Sequence, residues 1–192
     1  MGLALMAYFY CDFRHPKKQD ARFLLSSLVS QLATFSDTCN KILSALYLNC
    51  NAGSRQPSDH ALQGCLEKML KTGELPTIYI IIDGLDECPN VSGVIPPPPH
   101  PREHVLRLVE KVVHLRLVNV HICVTSRPEA DIQAALARLA SHTVALHDEV
   151  GQRNDMGDYI RFKIYSDRHM QKWRMEDKEM VIDNLSQRGC GM

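Results

Sequence analysis

Three carboxylates lie within five residues at the end of one strongly apolar segment of the sequence. The segment Ile78–Ile82 is isoleucine throughout apart from Tyr79, and Asp83, Asp86 and Glu87 follow it. β-Branched residues on both faces of a segment are typical of a strand that is buried between helices in a parallel sheet. Open α/β sheets bind ligands beyond the carboxyl ends of their strands, so acids at this position predict chemistry with a metal ion or a water molecule.

The positions of the acids predict different roles for them. Asp83 directly follows the strand, where a carboxylate can hold Mg²⁺, while Asp86 and Glu87 lie on the turn behind Gly84, where they can orient an attacking water. The alternative is that these acids cap a helix that follows a core strand. Three acids after one apolar strand favour an origin in a nucleotide-hydrolysis site.

A second polar motif ends the next predicted strand. The segment Val120–Thr125 is apolar and is followed by Ser126, Arg127 and Pro128. Because parallel strands end at the same edge of a sheet, Arg127 would lie beside the acids. A guanidinium at this edge could contact a terminal phosphate through bidentate hydrogen bonds, and the alternative is an ordinary surface ion pair.

The rest of the chain supplies the elements that would position these motifs. Leu3–Asp12 has the composition of a strand, and the proline-rich segment 89–101 predicts an extended surface loop. Hydrophobic spacing and capping residues predict helices at about 21–35, 37–48, 59–72, 103–117, 129–140, 155–164 and 176–187, and a brief strand at Thr143–Leu146. This order predicts an α/β sheet domain at residues 1–150, followed at residues 151–192 by the start of a helical subdomain that is cut short at Met192.

Composition argues against several classes of function. The 192 residues suffice for one well-filled domain, and 22 basic and 22 acidic side chains give no net charge to attract nucleic acid or anionic lipid. No apolar segment reaches the roughly 20 residues of a membrane span. The seven cysteines are scattered without a C-x-x-C pair, which predicts reduced, mostly buried thiols in a cytoplasmic protein.

Together the two polar motifs carry a resemblance to a known family. The segments Ile78–Cys88 and His121–Glu129 resemble the extended Walker B and sensor 1 segments of NACHT-type STAND NTPases, in particular the nephrocystin-3-like N-terminal domain that is abundant in large fungal proteins. Ala7–Phe13, the leucine-rich helix from Leu24 and Asp155–Ile160 are similar to the same family in the same order. The resemblance therefore spans nearly the whole chain.

This resemblance implies a three-layer α/β fold of the P-loop NTPase type and a role in signal transduction. Members of the family use the binding of ATP or GTP, with Mg²⁺, as a conformational switch. By this resemblance Asp83 would be the Mg²⁺ ligand, Asp86 and Glu87 the hydrolytic acids, and Arg127 the phosphate sensor. The effector and repeat domains that usually flank such a domain are not within these 192 residues.

One part of the family's pattern is missing from the sequence. The phosphate-binding loop G-x-x-x-x-G-K-[ST] should precede the first strand, and no Gly-Lys pair occurs in the chain. Because the amides and lysine of that loop supply most of the hold on phosphates, we expect weak or absent nucleotide affinity and no hydrolysis by the chain alone. In the family's strand order 5-1-4-3-2, the missing strand would leave Val120–Thr125 as an exposed apolar edge and Thr143–Leu146 without its neighbour.

Three hypotheses about function follow. The chain is a fragment of a NACHT-type signalling NTPase that is inactive alone, or a non-enzymatic module that assembles with itself or with full-length relatives through the open sheet edge, or a weak residual ATPase. We expect protein partners, a cytoplasmic location and nucleotide as the candidate small ligand, and we expect neither nucleic acid nor membrane as a partner.

Overall fold

The structure is a computed structural model that describes residues 4–90, 100–145 and 150–188. These residues form a mixed α/β protein with three parallel strands and seven α-helices. The chain divides into two compact units, Met1–Ala140 and Ser141–Met192, which are described separately below.

In the described part of the first unit, the sheet has three strands, β1 (Leu5–Tyr10), β2 (Ile78–Asp83) and β3 (Val120–Val124). They are all parallel in the order β1-β2-β3, so that β2 is central. The edge position predicted for the Val120 strand is therefore confirmed within the described residues, where no further strand pairs with β3.

The described residues of the first unit form five α-helices: α1 (Ala21–Ala33), α2 (Asp37–Asn49), α3 (Asp59–Leu70), α4 (Pro101–His114) and α5 (Ala130–Leu136). The first three begin at side-chain caps, because Asp20, Ser36 and Ser58 each accept a hydrogen bond from a main-chain N–H in the first turn. The predicted helices are confirmed, although α5 ends earlier than expected.

The core of the first unit lies on one face of the sheet. Helix α1 packs on β1 and lies against α2, α3 and α4. Alternate residues of the strands face these helices and are buried with the leucines of α1, as Ile78, Ile80 and Ile82 of β2 illustrate at no more than 2% exposure.

The opposite face of the sheet is exposed, which corrects the prediction that helices cover both faces of β2. This open face consists of the alternate residues of the strands: Met6, Tyr8, Tyr10, Tyr79, Ile81, His121 and Cys123. The rings of Tyr79 and His121 stack there with centroids 5.1 Å apart. The described residues of this unit thus form two layers, one sheet and one layer of helices, where three were predicted.

Two smaller predictions also differ from the structure. Residues 143–145 have no regular secondary structure and Leu146 lies outside the described residues, so the brief strand predicted at Thr143–Leu146 is wrong where it can be compared. A strand needs a neighbour to satisfy its main chain, and none pairs with it in the described part of the chain. In the predicted loop, residues 91–99 lie outside the described residues, and Pro101 opens α4 at the first helical position, where proline is tolerated.

The second unit is a pair of packed helices, α6 (Val150–Ser166) and α7 (Met175–Arg188). Ile164 and Ile182 are buried, and the Arg161 guanidinium lies 2.9 Å from a carboxylate oxygen of Glu179. The two predicted helices are confirmed, although α6 begins earlier than expected. No helix in the described ranges is both long and apolar enough to cross a membrane.

Candidate functional site

The end of β2 is tied to the end of β3 by a single threonine. The Thr125 hydroxyl donates a hydrogen bond to the Asp83 carboxylate and accepts one of 3.0 Å from the Gly84 N–H. The main chain of Thr125 continues the ladder, because its N–H donates to Ile82 and its carbonyl accepts from Leu85, both at 2.9 Å. Asp83 is thereby fixed at the carboxyl edge of the sheet, where the sequence predicted it.

The acidic turn that follows depends on the conformation of Gly84. This residue has φ +68° and ψ 42°, in the left-handed region that side chains disfavour, and it starts the short 3₁₀ turn Leu85–Glu87. Leu85 is fully buried and anchors the turn from below. The two remaining acids are therefore held on a rigid turn.

The structure brings Asp86 and Arg127 together. The main-chain N–H of Arg127 donates to Asp86 Oδ1 at 3.0 Å, and the side-chain Nε of Arg127 lies 3.4 Å from Asp86 Oδ2. The Arg127 side chain is 84% exposed. This contact is the surface ion pair that the alternative interpretation predicted, and the role of Arg127 as a phosphate sensor stays a prediction.

Glu87 is joined to the strand on the other side. Its Oε2 atom accepts a 3.1 Å hydrogen bond from the N–H of Phe13, in the segment that follows β1. The three acids thus connect the end of β2 to both neighbouring strands and do not converge on one point. Within the described residues, Asp83 Oδ2 and Glu87 Oε1 accept no hydrogen bond, so these two acids each keep one free oxygen, while both oxygens of Asp86 contact Arg127.

The arrangement is compatible with Mg²⁺ only if other groups complete its coordination. In the described ranges there is no cluster of three histidine, cysteine or acidic side chains that could hold a metal ion. Mg²⁺ is usually bound by one or two carboxylates, with water and phosphate oxygens in the remaining positions. The free oxygen of Asp83 could fill one position in the coordination of Mg²⁺. A bound phosphate would also need N–H donors, which the three acids do not supply.

A buried arginine that the sequence did not single out holds the acidic turn in place. Arg102, in the first turn of α4, has a side chain only 5% exposed. Its guanidinium donates to the main-chain carbonyls of Cys88 at 2.9 Å and Asp86 at 2.6 Å. It also contacts the carboxylates of Glu129 and Asp131. The acidic turn is therefore connected through one side chain to the segment that follows Arg127.

The environment of Arg102 explains its charge state. Burial alone would lower the pKa of the guanidinium, but the hydrogen bonds to Glu129 and Asp131 outweigh burial and hold the pKa above its usual value. A basic residue in the first turn of a helix opposes the helix dipole, and this misplaced charge is the sequence signal that could have identified Arg102.

Comparison with known proteins places these elements in a family. A family model described as Nephrocystin 3, N-terminal matches residues 3–127. The chain belongs to this family. The match covers all three strands, the acidic motif and the second polar motif as far as Arg127, and it confirms the nephrocystin-3-like part of the resemblance. No curated protein and no solved structure matches the chain.

Two cysteines meet beneath the acidic turn. The thiols of Cys11 and Cys88 are 3.4 Å apart, and both side chains are buried. The hydrogen-bonding contact with the Cys88 sulfur, together with burial, raises the pKa of the Cys11 thiol, so Cys11 stays protonated. Among the described cysteines five are buried and Cys123 is exposed, which confirms the prediction of mostly buried free thiols.

A buried carboxylate closes the turn after β1. Asp12 is 8% exposed and accepts hydrogen bonds from the N–H and Nε of Arg14, at 2.9 and 3.0 Å, and contacts His15 Nδ1 at 3.0 Å. The hydrogen bonds from Arg14 hold the pKa of Asp12 far below its usual value. Ionised Asp12 therefore stabilises the folded chain.

This low pKa predicts an acid-sensitive contribution to stability. Because the folded pKa is depressed, the contribution is present above the unfolded pKa and is lost as the pH falls below about 4. We expect Asp12→Asn to lower the urea midpoint at pH 7, and we expect the difference between variant and parent to shrink progressively as the pH falls from about 4 to about 2. Exposed Glu110→Gln is the control, and two curves that stay parallel for Asp12→Asn would contradict the assignment.

Proposed function

We propose that this chain supplies the acidic and sensor half of a nucleotide-dependent switch of the NACHT type in a signal-transduction protein, and that it does not hydrolyse nucleotide alone. One observation carries the proposal: Asp83 and Arg127 follow adjacent parallel strands at the same edge of the sheet. The crevice beyond the carboxyl ends of strands is where α/β sheets bind ligands.

Each residue has a definite part in this proposal. Asp83 would hold Mg²⁺ through its free oxygen, and Asp86 and Glu87 would orient water. Bound Mg²⁺ would neutralise charge on the phosphates of ATP or GTP. Arg127 would exchange Asp86 for a phosphate, because its side chain is 84% exposed and free to turn, while Asp86 would keep the hydrogen bond from the Arg127 main-chain N–H.

The limit on activity comes from the sequence. No G-x-x-x-x-G-K-[ST] loop occurs in the chain, and such a loop supplies the amides and the lysine that grip the phosphates. The acids and Arg127 can position a metal and sense a phosphate, but they offer few donors to retain a nucleotide. Binding by the chain alone is therefore expected to be weak.

Calorimetric titration with Mg·ATP and Mg·GTP tests the proposal. We expect no saturable binding to the chain alone, and micromolar binding to a longer protein in which an upstream strand and phosphate loop from a family member precede it. In the longer protein Asp83→Asn should weaken Mg²⁺-dependent binding at least about tenfold, while the exposed Glu110→Gln should not. Micromolar binding by the chain alone, abolished by Asp83→Asn, would contradict the proposal and favour a residual ATPase.

A second candidate function, assembly through the open sheet edge, is favoured by a contrast between the two edges. At the β1 edge the Gln31 side chain occupies main-chain groups that a further strand would bond. Its Nε2 donates to the Tyr8 carbonyl at 2.8 Å, and its Oε1 accepts from the Tyr8 N–H at 3.0 Å. No side chain in the described part of the chain does this for Ile122 of β3. An unblocked edge is a template for pairing with another chain.

A further inference from the structure

Two buried thiols meet where the end of β1 approaches the acidic turn. Cys11 extends β1 by one residue, because its N–H donates to the Asp83 carbonyl at 2.9 Å. Cys88 follows the 3₁₀ turn Leu85–Glu87, and its N–H donates to the Leu85 carbonyl at 3.1 Å. The two sulfurs lie 3.4 Å apart, although the residues are separated by 77 positions in the chain. The fold, and not the sequence spacing, therefore brings these thiols together.

The main chain is held on both sides of the thiol pair. The Cys88 carbonyl accepts a 2.9 Å hydrogen bond from Nε of the buried Arg102. Gly84 lies so close to the segment after β1 that a Cβ atom there would be 3.6 Å from the Cys11 carbonyl oxygen. Cys11 is 6% exposed and Cys88 is fully buried, and both belong to the same hydrophobic cluster. The two sulfurs can therefore separate only if the core opens locally.

The contact between the sulfurs suits the formation of a disulfide bond. Both residues are free thiols in the structure. A disulfide bond is about 2.0 Å long, so the sulfurs would have to approach by about 1.4 Å from their present distance. Each sulfur moves with rotation about its own χ1, so the pair can close by motion of the side chains. Within the residues that the structure describes, no other two cysteine sulfurs are in such contact.

We propose that Cys11 and Cys88 form a modification site, at which a peroxide joins the two thiols in a disulfide bond and a thiol reductant restores them. This inference goes beyond the nucleotide switch proposed above and does not depend on it. The bond fastens the acidic turn to the segment after β1, where the Phe13 N–H already donates to Glu87 at 3.1 Å. Oxidation therefore stiffens the turn that carries Asp86 and Glu87.

Hydrogen peroxide accounts for all the atoms and electrons of this step. The Cys88 sulfur attacks one peroxide oxygen, the O–O bond breaks, and one water leaves while Cys88 becomes a sulfenic acid. The Cys11 sulfur then attacks the Cys88 sulfur, the S–O bond breaks, and a second water leaves. The two thiol protons end in the two waters, and the two electrons that the thiols lose are gained by the peroxide.

The surroundings of the pair favour Cys88 as the first nucleophile. Its contact with the Cys11 sulfur, together with the charge of Arg102, outweighs burial and holds the pKa of the Cys88 thiol below its usual value. Burial of both sulfurs also selects the oxidant by size, because a reagent must enter the core to reach them. Hydrogen peroxide should therefore form the bond faster than oxidised glutathione does.

Disulfide mapping on the unmodified chain tests the pairing. The reduced protein is treated with hydrogen peroxide, free thiols are alkylated, and unreduced peptides are analysed by mass spectrometry. We expect a peptide that joins Cys11 to Cys88, at least about tenfold more abundant than any other cysteine pair, and we expect dithiothreitol to remove it. In concentrated urea this preference should vanish. Oxidation of the exposed Cys123 while Cys11 and Cys88 stay free, or an equal preference in urea, would overturn the inference.

Stability measurements on two matched variants test what the bond does. A bridge between residues 77 positions apart restricts the unfolded chain, so oxidation should raise the urea midpoint of the first unit. Cys88→Ala should abolish this rise. Cys65→Ala, which removes a buried thiol of α3 outside the pair, should retain it. An equal rise in both variants would overturn the inference, and the mapping, which needs no substitution, decides the pairing even if Cys88→Ala folds poorly.

Amide hydrogen exchange tests the effect on the acidic turn. The N–H groups of Glu87 and Cys88 donate within the turn to Gly84 and Leu85. We expect peroxide treatment to slow the exchange of these two amides at least about tenfold in the unmodified chain, and dithiothreitol to reverse the change. Exchange that is the same before and after oxidation would show that the thiols only fill space in the core, and the proposed role in stiffening the turn would fall.

Discussion

Replacing Arg102 with methionine is expected to lower the free energy of unfolding of the first unit by about 3 kcal/mol. Methionine keeps most of the side-chain volume but removes the hydrogen bonds to the carbonyls of Cys88 and Asp86. It also leaves the carboxylates of Glu129 and Asp131 without their cation. A buried polar group that loses its partner costs about 1–3 kcal/mol, so the loss should be large even if the carboxylates find water.

A matched control lies one turn further along the same helix. Arg107 pairs with Glu103 on the surface of α4 with a side chain 58% exposed, and Arg107→Met should cost no more than about 0.5 kcal/mol. Urea unfolding followed by circular dichroism measures both losses. The single tryptophan, Trp173, lies in the second unit, so its fluorescence reports separately on that unit. Equal losses for the two variants would show that Arg102 is not the clamp of the acidic turn.

Arg102→Lys separates charge from geometry. Lysine retains the cation but is a point charge that cannot reach four acceptors with a planar fork. We expect it to recover less than half of the loss seen with methionine. The acidic turn then becomes more mobile in amide exchange at Glu87 and Cys88, whose N–H groups donate within the turn.

The helices and strands were largely predictable because they follow from local patterns. The spacing of leucines in α1, with Asp20 as its cap, gives the helix its buried face and its starting point. The isoleucine run of β2, followed by acids, likewise indicated the central strand and its carboxyl end. These signals lie within a few residues of the features they specify.

The partners of the acids were not predictable, because each lies far along the chain. Asp83 contacts Thr125 and Glu87 contacts Phe13, more than 40 residues away in each case. The proximity of Asp86 and Arg127 could be predicted only from the rule that parallel strands end at the same edge of a sheet. Which oxygen accepts from which donor depends on the left-handed turn at Gly84 and on Arg102, and no local pattern encodes that geometry.

The prediction that helices cover both faces of β2 was wrong, because an apolar composition does not show that another element packs on each face. Ile80 and Ile81 are identical neighbours in the sequence, yet Ile80 is 2% exposed beneath the helices, while Ile81 lies on the open face beside Tyr8 and Cys123. Two identical side chains on opposite faces of one strand therefore provide an internal test of the architecture.

Ile80→Ala is expected to destabilise the first unit by about 3 kcal/mol, because the buried methyl groups lose their contacts and leave a cavity among the helices. Ile81→Ala should cost about 1 kcal/mol or less, since its side chain is only partly removed from water. Both losses are measured by urea unfolding at a chain concentration below that of any dimer. Equal losses would mean instead that an element covers Ile81 in solution, as the isoleucine run first predicted.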